Sequence, residues 1–255
     1  PNPAVLRAAK HKPAVGQCLR GADLGLADGV GVVYSAKILG RPLKGKVPGI
    51  DFAQRLLAWM ARHGKRLFLL GAKPGVAELA AANLKDAHPG LIVCGTHDGY
   101  FREDGPVVEE TRAAAADGVF VCLGAPKQEL WMVEHGPATG AHLLVGLGGS
   151  LDVFAGVVER APEGFPRLGL EWLYRLATEP KRLGRTANPP PVLVHAAGPR
   201  LRGQQLPRRH GAGLLEIVEA RIVGRMPGGP GLICVIVESR FHPGHRLQLP
   251  GKHGL

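Results

Sequence analysis

The chain has 255 residues, 45% of them hydrophobic and 21% charged, which supplies enough apolar material for a buried core and excludes a disordered protein. Its formal net charge is +11, unevenly spread: residues 1–159 hold 17 Lys/Arg against 15 Asp/Glu, residues 160–255 hold 15 against 6. No uninterrupted apolar run of about 18 residues is present, and Cys18, Cys94, Cys122 and Cys234 lack C-x-x-C spacing, which argues against a spanning helix, a disulfide scaffold or a zinc site.

In chain order, "ADLGLADG" (22–29) is a short apolar segment ending in Asp28-Gly29, and "VGVVYSAKILG" (30–40) reads as a helix stopped by Gly40. "GIDFAQRLLAWMARHGK" (49–65) repeats that pattern, with Asp51 able to cap and Gly64 to terminate. "RLFLLG" (66–71) is a strand, 72–90 a loop and an alanine-rich helix, and "LIVCG" (91–95) a second strand. Such a βαβ unit predicts a right-handed crossover and a parallel sheet. The alternation continues through "VVEETRAAAA" (107–116), "GVFVCLG" (118–124), "PKQELWMVEH" (126–135), "HLLVGLG" (142–148) and a helical 169–185. The expected fold class is therefore α/β, a doubly wound, mostly parallel Rossmann-like sheet with helices on both faces.

Beyond Thr186 the composition changes, with 20 of 69 residues Gly or Pro, a level at which order fails. The expected organisation is one domain over 1–186 and a Pro/Gly-rich, basic, poorly ordered tail over 187–255, in which only "GLLEIVEARIVG" and "LICVIVESRF" look structured.

Four strand-like runs end in glycine-rich turns: "LADG" (26–29), "LLGAKPG" (69–75), "VCLGAPKQE" (121–129) and "VGLGGSLD" (145–152). A parallel sheet gathers the C-terminal ends of its strands along one edge, so these turns should converge on a ligand. Glycine lets backbone approach that ligand, and a helix start offers free N–H groups to phosphate. This reading places Gly29, Gly71, Gly75, Gly124, Pro126, Gly148 and Gly149 at a nucleotide or sugar-nucleotide site. G-x-G-x-x-G, the P-loop and the G-x-S-x-G elbow are all absent. The two histidines of "HPGH" (242–245) are separated by Pro and Gly, which suits a surface loop better than a metal site.

Several side chains near these turns have two readings each. Asp28 is either the cap of the helix from Val30 or a base within reach of a substrate hydroxyl. Asp152 either caps or accepts from a base or ribose; Lys46 and Lys127 either neutralise phosphate or are solvated; Gln128 either donates to a phosphate or sugar oxygen or faces water.

The ordered segments "PNP" (1–3), "ADGVGVVYSAKILG" (27–40), "VPGID" (47–51), "LFLLGAKPGVAELAAANL" (67–84), "GTHDGYF" (95–101), "VCLGAPKQELWM" (121–132), "VGLGGSLDVFAGVVERAP" (145–162) and "GLEWLYRLATEPKRLGR" (169–185) resemble the WecG/TagA/CpsF family of bacterial glycosyltransferases. The resemblance implies an inverting, metal-independent transfer of a sugar, commonly N-acetylmannosamine, from a UDP-sugar to N-acetylglucosamine on undecaprenyl diphosphate, in teichoic acid or surface-polysaccharide synthesis. No D-x-D motif offers carboxylates to a divalent cation, and no cofactor is expected.

By motif position Asp28 resembles the family's general base and Gln128 its active-site glutamine, while Lys46 stands where an arginine is expected. Asn2, Asp98, Tyr100, Lys127, Glu129 and Asp152 fall in segments expected to bind substrate. The comparison also implies an N-terminally truncated chain, with an atypical tail in place of a basic C-terminal appendage. The implied setting is cytoplasmic and peripheral at the inner face of the plasma membrane, with a UDP-sugar donor, a lipid-diphosphate acceptor, no nucleic acid, and room for a homo-oligomer. The alternative, a non-catalytic nucleotide- or nucleic-acid-binding module, draws on the basic tail but lacks clustered aromatics to stack bases.

Overall fold

The computed structural model describes residues 3–28, 30–38, 40, 43, 45, 47–159 and 233–239, the last as backbone only. Two short helices open the chain, α1 (Pro3–His11) and α2 (Pro13–Gly21), followed by β1 (Leu24–Gly25), α3 (Val30–Ile38) and α4 (Gly49–Arg62). A regular alternation then runs β2 (Arg66–Gly71), α5 (Val76–Ala87), β3 (Ile92–His97), α6 (Asp104–Ala113), β4 (Gly118–Cys122) and α7 (Lys127–His135). It ends with a 3₁₀ turn (Gly136–Thr139), β5 (Leu143–Gly148) and α8 (Ser150–Phe154), and a last strand, β6, is formed by Ile233–Ser239.

All strand pairs are parallel, in the order β1-β6-β5-β4-β2-β3. The strands β2, β4 and β5 are buried along nearly their whole length, as continuous apolar runs covered on both faces should be. Period-two alternation divides their side chains between two cores. Leu67, Leu69, Phe120 and Val145 pack with Leu56 and Met60 of α4, Ala80 of α5 and Leu151 of α8. Phe68, Leu70, Val119, Val121 and Leu144 pack on the other face with Val107 of α6 and Trp131 and Met132 of α7. Helices therefore cover both faces, and the expected doubly wound α/β architecture is present.

The chain leaves β2 for β3 on one side, then crosses back to β4 and β5 on the other. The direction of winding reverses between β2 and β4, and the crevice outside the C-terminal ends of those strands is where open α/β sheets bind ligands. The register is fixed at the opposite edge by Asp117, whose carboxylate accepts from the Arg66 N–H at 2.7 Å and whose carbonyl accepts from the His142 N–H at 3.0 Å.

Several elements differ from expectation. α1 and α2 carry too few apolar positions to announce themselves, and prolines at 1, 3 and 13 break their pattern; α2 gains its buried Val15 and Cys18 by lying along α7. β3 extends to His97, two residues past the expected end, and α6 starts three residues early, at Asp104. Within the tail, the "LICVIVESRF" segment is structured as expected, Ile233–Ser239 forming a strand seated between β5 and β1. The helix expected at 169–185, the boundary near 187 and "GLLEIVEARIVG" lie outside the described residues.

Candidate active site

Four of the turns behind the strand ends meet along one edge. Gly71 closes β2 with φ +128° and lies so close to β4 that an added Cβ would collide with the Cys122 carbonyl. The next residue donates from its N–H to that carbonyl at 3.3 Å, while its own carbonyl accepts from the Gly99 N–H at 2.9 Å. Three turns are thereby laced together around the switch point. Gly75 (φ +82°), Gly124 (φ +75°) and Gly148 (φ +56°) all occupy the left-handed region that an L side chain disfavours.

Lys127 joins the same group. Its ammonium donates to the Gly99 carbonyl at 3.2 Å and lies 4.2 Å from the centre of the Phe101 ring. Asp98 makes an Asx turn, accepting the Tyr100 N–H at 2.7 Å, and this presents the Tyr100 ring to solvent with 66% exposure. Pro126, after a cis peptide bond, leads directly into α7.

Gln128 and Glu129 are both fully buried, at 0% exposure. The Gln128 side-chain carbonyl accepts from the Gly148 N–H at 2.9 Å, and its NH₂ donates to Glu129 Oε1 at 2.9 Å. Gln128 thus braces the β5 turn against the start of α7 instead of presenting an open polar surface. Room for it comes from Gly146 in the middle of β5: a Cβ there would stand 2.9 Å from the Gln128 nitrogen and 2.9 Å from the Met132 methyl. Burial raises the Glu129 carboxyl above the ordinary range, and the hydrogen bond from Gln128 opposes that shift. Its second oxygen, Oε2, has no hydrogen-bond partner among the described residues.

Asp152, in the first turn of α8, is 2% exposed, and its Oδ1 likewise lacks a partner among the described residues. Burial raises this carboxyl too, while the positive charge of Lys73 pulls it back. Lys73 belongs to the β2–α5 turn and was not singled out from the sequence. A lysine between the two glycines of "GAKPG" (71–75) was its only local sign.

Asp28 is half-buried, three residues past the end of β1 and two ahead of α3. Because β1 is parallel to the rest, Asp28 belongs to the same edge as the glycine turns. Neighbouring strands lie about 4.8 Å apart, which sets β1 roughly 10 Å from β5 across β6. Asn2, Gly29 and Lys46 lie outside the described residues. A separate groove of about 330 Å³ runs between α2 and α7, lined by Gln17, Cys18, Leu130 and Val133, and none of the strand-end turns contributes to it.

The geometry therefore offers converging glycine turns, two buried carboxylates, two lysines and a half-buried aspartate at one sheet edge. The profile of the glycosyl transferase WecG/TagA/CpsF family matches residues 1–206 of this chain. The chain belongs to that family. A relative from Bacillus spizizenii, an N-acetylglucosaminyldiphosphoundecaprenol N-acetyl-beta-D-mannosaminyltransferase, is 38% identical over 210 residues, covering 80% of this chain and 82% of its own. A Staphylococcus aureus protein of the same name is 35% identical over 189 residues, 74% of each chain. Among the described residues no helix is long and apolar enough to cross a membrane, and no three His, Cys, Asp or Glu side chains cluster as metal ligands.

Proposed function

We propose that this glycosyltransferase moves N-acetylmannosamine from its UDP-sugar to N-acetylglucosaminyl-diphospho-undecaprenol, in teichoic acid or related cell-wall synthesis. The observation that carries the reading is that Asp28 and the turns at 71–75, 124–127 and 148–152 lie at the same C-terminal edge of one parallel sheet, in a chain 38% identical to a transferase of that name.

In the proposed reaction the Asp28 carboxylate takes the proton from the acceptor hydroxyl as that oxygen attacks the anomeric carbon from the face opposite the diphosphate. The bond from the anomeric carbon to the diphosphate oxygen breaks, and UDP carries the electron pair away with inversion of configuration. Charge developing on UDP is met by N–H groups of the glycine turns, the start of α7 and the ammonium groups of Lys73 and Lys127. Gln128 keeps the Gly148 turn in register with α7, so its part is to hold a wall of the cleft. Gly29, Lys46 and Asn2 keep the roles implied by motif position. The setting proposed is the inner face of the plasma membrane, where a lipid-diphosphate acceptor resides.

The experiment is incubation of the protein with UDP-N-acetylmannosamine and a lipid-diphosphate N-acetylglucosamine acceptor, with UDP release and product mass as readouts. Transfer by the wild type and its loss in Asp28→Asn support the reading. Transfer undiminished in Asp28→Asn removes Asp28 from the chemistry, and transfer from another UDP-sugar, offered in a parallel incubation, with none from UDP-N-acetylmannosamine overturns the substrate assignment.

A further inference from the structure

The chain leaves the ligand edge at Asp28 and returns to it at Val47, whose N–H donates to the Ala27 carbonyl at 2.9 Å. The described part of the excursion between them is α3, Gly40 with φ +71°, Leu43 and Gly45. One face of α3 is buried through Val32 and Ser35. The other carries Tyr34 and Ile38, four residues apart and therefore one above the other, with 56% and 53% exposure, and Leu43 beyond the helix is 41% exposed. Singly exposed apolar residues are ordinary; Tyr34 and Ile38 together make a patch on α3, and Leu43 adds a third exposed apolar side chain on the same excursion.

Charge identifies what the patch fits. Residues 29–45 contain Lys37, Arg41 and Lys44 and no Asp or Glu. Apolar side chains interleaved with cations alone match an anionic bilayer surface, where aliphatic and aromatic groups enter the boundary between headgroups and acyl chains and cations remain among the phosphates. An apolar protein partner would not require an acid-free segment.

We infer that the excursion between Asp28 and Val47 is a membrane-docking finger that seats Tyr34, Ile38 and Leu43 in an anionic leaflet and so brings the catalytic edge to the bilayer. This surface is distinct from the basic C-terminal third. It rests on the functional reading above only for its consequence, delivery of a lipid-borne acceptor to Asp28; the exposure and charge stand without it.

The test uses the full chain in co-sedimentation with vesicles of phosphatidylglycerol in phosphatidylcholine, and with phosphatidylcholine alone. The wild type should bind the anionic vesicles, less so as salt rises. Removing Tyr34 and Ile38 together (Y34E/I38E) should weaken binding on the order of ten-fold or more, and Lys37→Ala and Arg41→Ala about five-fold each. Leu43→Trp should show a blue-shifted emission on adding anionic vesicles, a readout that needs no destabilised variant. Transfer to a short-chain, water-soluble acceptor should be the same in wild type and Y34E/I38E, while transfer to vesicle-borne acceptor falls.

Vesicle binding by Y34E/I38E equal to wild type, or no spectral shift in Leu43→Trp, overturns the inference. A wild-type dimer that Y34E/I38E splits while vesicle binding persists also overturns it, and assigns the patch to a second copy of the chain. Absence of transfer to either acceptor by the wild type defeats the functional reading, yet sedimentation still decides this one.

Discussion

Gln128 is the residue at which bracing and substrate contact can be told apart by experiment. Replacing it with methionine keeps the length and volume of the side chain and deletes both hydrogen bonds. The Gly148 N–H is then left buried without its acceptor, at a cost of about 1–3 kcal/mol. Glu129 Oε1 loses its donor in a site where Oε2 already has none among the described residues, and this costs a similar amount, so the total is roughly 2–6 kcal/mol. For a domain of this size each kcal/mol moves the melting temperature by about 2–4 °C, so Gln128→Met should melt several degrees to well over ten degrees lower. The companion Gln128→Glu restores an acceptor for Gly148 but sets two buried carboxyls side by side, which raises their pKa values. Protonation is then more favourable in the folded state, so its stability is present at acid pH and is lost as pH rises through the raised values. The assay is a thermal melt followed by circular dichroism across pH, run beside transfer kinetics on the same samples. An unchanged melting temperature in Gln128→Met together with abolished transfer would refute the bracing argument and show that the amide is spent on substrate.

Further outcomes follow from other parts of the edge. Asp28→Asn should lower kcat by about 10²–10⁴ with little change in KM, measured as UDP release at saturating donor. Asp152 has its carboxyl raised by burial, so wild-type stability should fall as pH climbs from the ordinary carboxylate pKa, about 3.9, toward the raised value, and level off above it. Asp152→Asn should make that decline shallower, leaving the part due to Glu129, and Lys73→Ala, by deleting the opposing charge, should extend it to higher pH; urea titrations across the acid range decide both. Gly71→Ala meets both the positive φ and the Cys122 carbonyl, and should lower stability by about 1–3 kcal/mol, read as the urea midpoint. Transfer should survive EDTA, since the chain has no D-x-D motif and the proposed mechanism neutralises the leaving diphosphate with lysines and backbone amides; loss of activity restored by a divalent cation would contradict that.

Much of this fold is written in local pattern. The strands β2, β4 and β5 are continuous apolar runs because both faces of a parallel sheet are covered, and each is followed by a glycine that the turn geometry demands. What escaped local reading depends on partners distant in sequence. α2 packs against α7, far away in sequence, as well as against α1. The polar trio Lys127, Gln128 and Glu129 looks solvent-facing on a helical wheel, yet two of the three are sealed inside, admitted by a missing side chain at Gly146 eighteen residues on. A glycine within an otherwise apolar strand was the one sign of that. Lys73 carries no signature of its own, because a lysine in a strand-to-helix turn acquires meaning only when a buried carboxylate such as Asp152 is found opposite.

The place of β6 has a consequence for how the protein comes into being. Residue 24 pairs with residue 235, and residues 143–148 pair with 233–239, so the strand next to Asp28 is the last described segment to leave the ribosome. At about 5–20 residues per second, β5 must wait several seconds for its neighbour, and β1 longer. Throughout that interval both strands present unpaired edges of the kind that invite wrong partners. The nascent chain is thus obliged to leave this part of the sheet unassembled until residues 233–239 have emerged, and a chaperone that shields strand edges should raise its yield more than one that binds helices.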